Sequence, residues 1–279
     1  MKIVTDSTAD LPRNLVEEYG IEIVPLTVHL GNKTFRDYFD LSPAEFYQML
    51  SETDDFPTTS QPSVEDFLRT YEKLGKDEKI ISIHISMELS ATCQSAKVAV
   101  QQLPDWDIKV IDSRLTSVGL GLIVLEAARA IRDGADASEV MNLVEILMSE
   151  IRVYFSVDSL DYLQKGGRIG KAAALAGTML KIKPLLALQG GMVVPVEKIR
   201  GSHRLISRMA ELIKNDAGEH RTVKAAFVWG EDDEQITELA SQLNDLVQFE
   251  ELYRNNIGTV ITSHAGPTTF GIGYFCDVS

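Results

Sequence analysis

The residues of this chain best suited to holding a ligand are hydroxyls, and they come in three groups. Thr58, Thr59 and Ser60 lie between Pro57 and Pro62; Ser86, Ser90 and Thr92 follow an isoleucine-rich run; Ser113 and Ser117 follow Asp112. Hydroxyls in such number can donate hydrogen bonds to an anion. The flanking prolines hold the first group extended and lower the entropy cost of fixing it, so its side chains can be aimed before a ligand arrives. A covalent alternative exists on paper, with Ser90 as nucleophile and His264 as base. The sequence offers no obvious third group to orient that histidine.

The elements around these groups explain why they should meet. Ile80, Ile81, Ile83 and Ile85 make a buried strand, since β-branched side chains suit a pleated, covered surface. The strand runs through a hydroxyl-rich turn into a helix, where free N–H groups and the helix dipole favour an anion. Ser90 and Thr92 also fit a plainer role as caps of that helix. Residues 2–5 and 108–111 read as further strands, ending at Asp6-Ser7 and Asp112-Ser113. Strands that alternate with helices imply a mostly parallel sheet, whose ligands gather at the strands' carboxyl ends. The three polar turns are therefore expected on one rim.

The pattern predicts an α/β chain of two domains. The first, 1–155, is a three-layer α/β/α unit with a mostly parallel sheet and a small β-hairpin insertion at about 21–42. The second, 156–279, is α+β. Within the first, Asp10 is expected to cap a helix stopped by Gly20, and Ser138 a later one. Ser63 with Asp66 reads as a capping box. In the second, a hairpin is expected around Gly190-Gly191, an apolar helix over 172–180, and strands over 224–228 and 258–263. The apolar helices 120–132 and 172–180 carry more hydrophobic surface than one buried stripe needs, so part of it is expected to line an enclosed site.

Composition narrows the function. With 279 residues, 44% hydrophobic and 24% charged, the chain matches a soluble globular protein. A formal net charge of −14 argues against nucleic-acid or anionic-membrane binding. Apolar stretches are interrupted by charges, so no stable membrane insertion is expected. The amino end lacks a signal-peptide pattern, and Cys93 and Cys276 read as buried thiols; a cytoplasmic location follows. Gly119-Leu120-Gly121 is not completed to a dinucleotide fingerprint. Gly167 to Ala172 departs from a phosphate-binding loop at Lys165 and Ala172. No nucleotide, metal or other cofactor is expected. His29, His84, His203 and His220 read as structural or surface residues. Residues 163–208 hold nine Lys or Arg and one carboxylate, Glu197. That is either a face for an anionic partner or one balanced by carboxylates elsewhere in the fold.

Several stretches together resemble the DegV family over essentially the whole chain. They include Ile3 to Pro12, Thr59-Ser60-Gln61-Pro62-Ser63, Leu89-Ser90-Ala91-Thr92 with Gln94-Ser95-Ala96, and Asp112-Ser113 with Ser117, Gly119 and Gly121. Lys165-Gly166-Gly167-Arg168-Ile169, Lys183-Pro184 and Gly266-Pro267 complete the set. Ala91 and Tyr38 stand where the family favours glycine. The resemblance implies a bacterial-type fatty-acid-binding protein that holds an acyl chain in an apolar tunnel between its domains. It further implies a non-catalytic subunit of a fatty acid kinase system, in which an ATP-binding partner phosphorylates the carboxylate to an acyl phosphate. On that footing Thr59 and Ser90 are expected to donate to the carboxylate, with Ser60 and Thr92 in reach or in support and His264 completing the shell. Lys165, Arg168 and Arg200 are expected near the mouth, where they serve docking to the partner or its phosphates. A stand-alone lipid hydrolase using Ser90 and His264, or a passive lipid carrier or sensor, are the competing readings.

Overall fold

The computed structural model describes residues 1–175, 182–218 and 222–277. From the amino end come β1 (Lys2–Asp6), a 3-10 turn (Ser7–Ala9), α1 (Arg13–Tyr19), β2 (Glu22–Val24), β3 (Thr27–Leu30) and β4 (Lys33–Arg36). Then follow α2 (Pro43–Ser51), β5 (Thr58–Ser60), α3 (Val64–Leu74), β6 (Ile80–His84), α4 (Thr92–Gln101) and β7 (Ile108–Asp112). Two long helices, α5 (Val118–Arg132) and α6 (Ala137–Glu150), precede β8 (Arg152–Ser156), α7 (Asp161–Lys165) and a 3-10 turn (Gly170–Leu175). The hairpin β9 (Lys183–Gln189) and β10 (Met192–Ile199) leads to α8 (Ser202–Ala217) and β11 (Val223–Trp229). Last come α9 (Glu234–Leu246), β12 (Phe249–Asn256), α10 (Thr259–Ala265) and β13 (Phe270–Cys276).

A parallel sheet, β2-β1-β6-β7, is covered on both faces. Val4 and Ile80 turn to α3 and α4, while Ile3, Ile81 and Ile83 turn to α5. Burial on both faces is why β6 reads as a nearly unbroken apolar run. A second sheet, β10-β9-β8-β13-β11-β12, is antiparallel except between β11 and β12. Its strands also alternate: Ala225, Phe227, Ile272 and Tyr274 face the core under α8 and α9, whereas Ala226, Val228, Val153 and Phe275 face α5. A small antiparallel sheet, β4-β3-β5, packs beside α10 through Val28, Leu26 and Val260. The chain thus has the α/β architecture expected of it, with one parallel sheet and a second, mostly antiparallel one.

Helix α5 lies between the two large sheets, and Val118 to Leu125 are all buried. That position accounts for the apolar surface in excess of one stripe; most of it packs on strands, and Val118 reaches an apolar cavity at the amino end of the helix. The helix approaches the chain after β1 so closely that a Cβ on Gly121 would lie 2.5 Å from the Ala9 carbonyl oxygen and 2.2 Å from the Tyr253 hydroxyl. Because the first of these is backbone, α5 itself must shift to admit a methyl group. Gly121→Ala is therefore expected to cost about 1–3 kcal/mol of stability by overpacking. Urea denaturation would show it, and an unchanged midpoint would mean that α5 can move away freely.

Several local expectations need correction. Residues 258–263 form not a strand but α10, whose first N–H groups are held by buried carboxylates: Gly258 N donates to Asp10 Oδ1 and Thr259 N to Asp37 Oδ1. A short β-branched run cannot by itself separate strand from helix. Asp10 accordingly does not cap α1, whose N-cap is Pro12 without a side-chain bond. Asp136, in a capping box with Glu139, takes the place expected of Ser138. β12 and β13 are strands beyond those the sequence pattern predicts, the latter because Gly271 and Gly273 interrupt its alternation. Those glycines give room to Phe155 and to Val118 with Leu122. The helix expected over 172–180 begins as the 3-10 turn ending at Leu175, and 176–180, like His220, lies outside the described residues. Tyr38 adopts a positive φ of 73°, which explains why glycine suits that site, and Arg13 stacks on its ring. Ala91, at φ −80°, has no such need.

Candidate functional site

An apolar cavity opens where the amino end of α5, the inner face of the second sheet, α10 and the Ser86–Ser90 turn converge. It holds about 820 Å³ free of protein atoms, a volume that includes the solvent at its open side. Ile85, Leu89, Val118, Val153, Phe155, Leu188 and Val228 supply much of its wall. Val260, Ile261, His264 and Ala265 add one side of α10; their spacing puts them on a single helix face. Polar groups are few: Thr59, Ser90, Thr116, Ser117, Arg168, His264 and Thr269.

Strand alternation decides which hydroxyl of β5 enters the cavity. Thr58 and Ser60 point outward and are exposed, while Thr59 between them turns in. Thr59 Oγ1 lies 2.7 Å from His264 Nε2. Ser60 instead meets His29 Nε2 at 3.0 Å, away from the cavity. Period-two geometry thus separates two neighbours that were both expected to serve the ligand. Ser90 lines the cavity, and its Oγ lies 2.8 Å from Thr92 Oγ1 and accepts from Thr92 N at 3.3 Å. Thr92 is fully buried and supports Ser90 from behind. Ala91, not Ser90, is the N-cap of α4, and α4 has no side-chain cap.

His264 is neutral. Burial, and secondarily the Arg168 charge, lower its pKa from 6.5 to about 4. Its Nδ1 is buried without a partner, so the tautomer protonated at Nε2 leaves only a lone pair there rather than a stranded N–H donor. In that tautomer His264 donates to Thr59, whose own hydroxyl proton is free for an acceptor in the cavity. The imidazole fits because residue 166 is glycine: a Cβ there would lie 2.4 Å from Nδ1. A base of pKa about 4, bonded to Thr59 and lacking a carboxylate at Nδ1, is poorly arranged to deprotonate Ser90. The geometry therefore bonds His264 to Thr59 and Ser90 to Thr92, and does not pair Ser90 with His264 as nucleophile and base.

The three basic residues separate. Arg168 lines the cavity, with Nε donating to the Leu89 carbonyl at 3.0 Å and Nη1 to the Gly166 carbonyl at 2.7 Å. Lys165 is exposed nearby, its Nζ 5.2 Å from the Phe56 ring centroid. Arg200 is exposed beyond the far end of β10 from the cavity residue Val193. At ~3.3 Å per residue the strand carries it roughly 20 Å off. Elsewhere in the basic segment Lys183 pairs with Asp158, and Arg208 with Glu197 and Glu211. Two of the nine basic residues are thus balanced by carboxylates, and Arg168 and Lys165 stand beside the cavity.

Residues outside the expected ligand groups also shape the site: Gly166, Asp10, Asp37 and the sheet residues Val153, Phe155 and Gly271. Glycine, carboxylate and apolar types carry no positional signal of their own, and only the packing reveals them. Among the described residues, no group of three or more His, Cys, Asp or Glu is placed to hold a metal ion. No helix of these residues is long and apolar enough to cross a membrane.

Comparison with known proteins gives consistent results. The family model described as an uncharacterised protein, DegV family, matches residues 1–277. Protein DegV of Bacillus subtilis (strain 168) is 35% identical over 272 residues, covering 97% of each chain. A fatty-acid-binding DegV family protein from Thermus thermophilus superposes with a TM-score of 0.94 at 36% identity, covering 99% of each chain. A stearic-acid-binding protein from Eubacterium ventriosum superposes with a TM-score of 0.88 at 28% identity, covering 99% of this chain and 98% of the other.

Proposed function

Since the chain belongs to the DegV family, we propose that it binds a long-chain fatty acid in this cavity and presents the carboxylate to an ATP-binding kinase subunit. The observation that carries the first half is the cavity itself. Its wall is apolar, and its polar groups include a linked set, with Thr59 bonded to His264, His264 beside Arg168, and Arg168 braced on the carbonyl next to Ser90. Burial gains about 0.8 kcal/mol per CH₂, so the chain supplies the affinity. Thr59, Ser90 and His264 need only fix register and satisfy the head group. Thr92 supports that shell; Ser60 stands outside it.

The second half, a protein without chemistry of its own that serves a kinase, is supported by the sequence's lack of a nucleotide motif and by two basic residues beside the cavity, Arg168 in its wall and Lys165 exposed three residues earlier. Mass spectrometry of lipid extracted from the purified protein tests the ligand class: a fatty acid in molar proportion is expected, and protein that is empty and takes up no stearate or oleate refutes the reading. With the kinase subunit and ATP added, Arg168→Ala is expected to lower acyl phosphate formation at least tenfold while fatty-acid affinity falls much less. Loss of affinity with an unimpaired phosphoryl step would place Arg168 in the ligand shell instead.

A further inference from the structure

The segment from Asp6 to Asp10 lines none of the cavity, yet it is bonded to the Ile85, Leu26 and Ser117 parts of its wall and to the start of α10. Asp6 Oδ2 accepts from Ile85 N at 2.9 Å, Ser7 Oγ from Leu26 N at 3.0 Å, and the Thr8 carbonyl from Ser117 N at 2.7 Å. Asp10 makes the widest span. Its Oδ2 is hydrogen-bonded to Ser117 Oγ, its Oδ1 accepts from Gly258 N at 2.9 Å, and its carbonyl accepts from Asn255 Nδ2 at 3.0 Å. Ser117 lies on one wall, and Gly258 opens the helix that carries His264. Asp10 itself is buried, and its φ of 49° is that of the left-handed C-cap of the 3-10 turn Ser7–Ala9, where its N–H donates to the Ser7 carbonyl. Beyond that cap, its carboxyl joins two elements that line the cavity.

We propose that Asp10 is a positioning residue for the acyl site, its single carboxyl fixing the Ser117 wall against α10 and so the placement of His264. This rests on the reading of the cavity as a fatty-acid site. The groups facing the carboxyl are Asp37 from the loop after β4, Asp6 from its own segment, Tyr253 from β12 and Tyr47 from α2. Arg13 shares the polar recess but donates to the Tyr38 carbonyl. With burial and two carboxylates against it, Asp10 is protonated at neutral pH, its pKa pushed up to about 8. Asp10 accepts through both oxygens, from Gly258 N at Oδ1 and from the Ser117 hydroxyl at Oδ2. An asparagine in the same place keeps both contacts, because its oxygen accepts from Gly258 N and its NH₂ donates to the Ser117 hydroxyl, which can turn to accept.

The test compares Asp10→Ala with Asp10→Asn in delipidated full-length protein, with stearate and oleate as probes in calorimetric titration. Asp10→Ala is expected to weaken binding at least tenfold and Asp10→Asn less than twofold. Asp10→Ala combined with His264→Ala should bind about as His264→Ala does alone, because one change acts through the other. A merely structural role predicts lower thermal stability with unchanged affinity, or losses that add. Either outcome overturns the proposal, as does an asparagine variant as weak as the alanine one. Should Asp10→Ala fail to fold, the pH profile decides: wild-type affinity should fall above pH 8 and that of Asp10→Asn stay flat, and parallel profiles overturn it. His264, with a pKa of about 4, does not titrate in that window. If wild-type protein takes neither lipid, the fatty-acid reading fails. The positioning is then read from amide exchange of Gly258 and Thr259, expected to be faster in Asp10→Ala and unchanged in Asp10→Asn; equal protection in all three refutes it.

Discussion

Asp10→Asn is expected to make the protein more stable at pH 7, by about 2–4 kcal/mol. The carboxyl is buried, and burial first, then Asp37 and Asp6, raise its pKa from 3.8 to about 8 in the folded chain. Between these values the native state holds a proton that the unfolded chain releases. The stability tied to this proton is complete below pH 3.8 and is lost as pH rises toward 8, at up to ~1.4 kcal/mol per pH unit. Asparagine keeps the hydrogen bonds to Gly258 and Ser117 without needing the proton, so the loss disappears. Asp37, raised by burial as well, acts with the same sign. Urea denaturation at pH 5, 7 and 9 should show the wild type weakening with pH, and the advantage of Asp10→Asn growing up to about pH 8. A variant less stable than wild type at pH 7, with the same pH slope, would mean that Asp10 is ionised in the fold.

The second large effect concerns the ligand shell. Thr59→Ala should weaken fatty-acid binding tenfold to a hundredfold, since a hydrogen bond to a charged group is worth about 1.5–3 kcal/mol. It also removes the partner of His264 Nε2. Ser90→Ala should have an effect of similar size, although Ser90 also accepts from Thr92 N. If that local bond is its whole role, Ser90→Ala would cost at most about 1 kcal/mol of stability in lipid-free protein and leave affinity unchanged. The double change should lose less than the sum of the single changes, because both hydroxyls act on one carboxylate. Measuring affinity and melting temperature on each variant separates the two roles. Strict additivity would show that Thr59 and Ser90 serve different groups.

What could be read in advance follows from how far each signal reaches along the chain. The parallel sheet was legible because β1, β6 and β7 each carry local evidence, in β-branched runs that end in polar turns. The Ser63–Asp66 capping box and the turn at Gly190-Gly191 were legible for the same reason. α10 and β13 were not. The helix depends on Asp10 and Asp37, more than 200 residues away, and the strand on neighbours for which its glycines make room. In the site, Thr59, Ser90 and His264 could be named from residue type and resemblance. That Ser60 turns away needed the observed strand, and that Arg200 lies remote needed the length of β10. Asp10 was noticed for the wrong reason, because an aspartate before a proline and a helical pattern looks like a cap until its partners across the fold are known.

The place of α5 has a thermodynamic consequence. One continuous apolar cluster runs from Ile3, Ile81 and Ile83 of the first sheet, through Leu120 to Leu125, to Val153, Ala226, Val228 and Phe275 of the second. Neither sheet can melt and leave the other intact, because whichever goes first strips one flank of the shared helix and exposes it to water. Partial opening is thereby expected at the periphery, and the two sheets are expected to melt as one cooperative unit, in a single heat-absorption peak whose calorimetric and van't Hoff enthalpies agree; two separated peaks would show that the shared helix does not couple them. Two architectural halves then amount to one thermodynamic body.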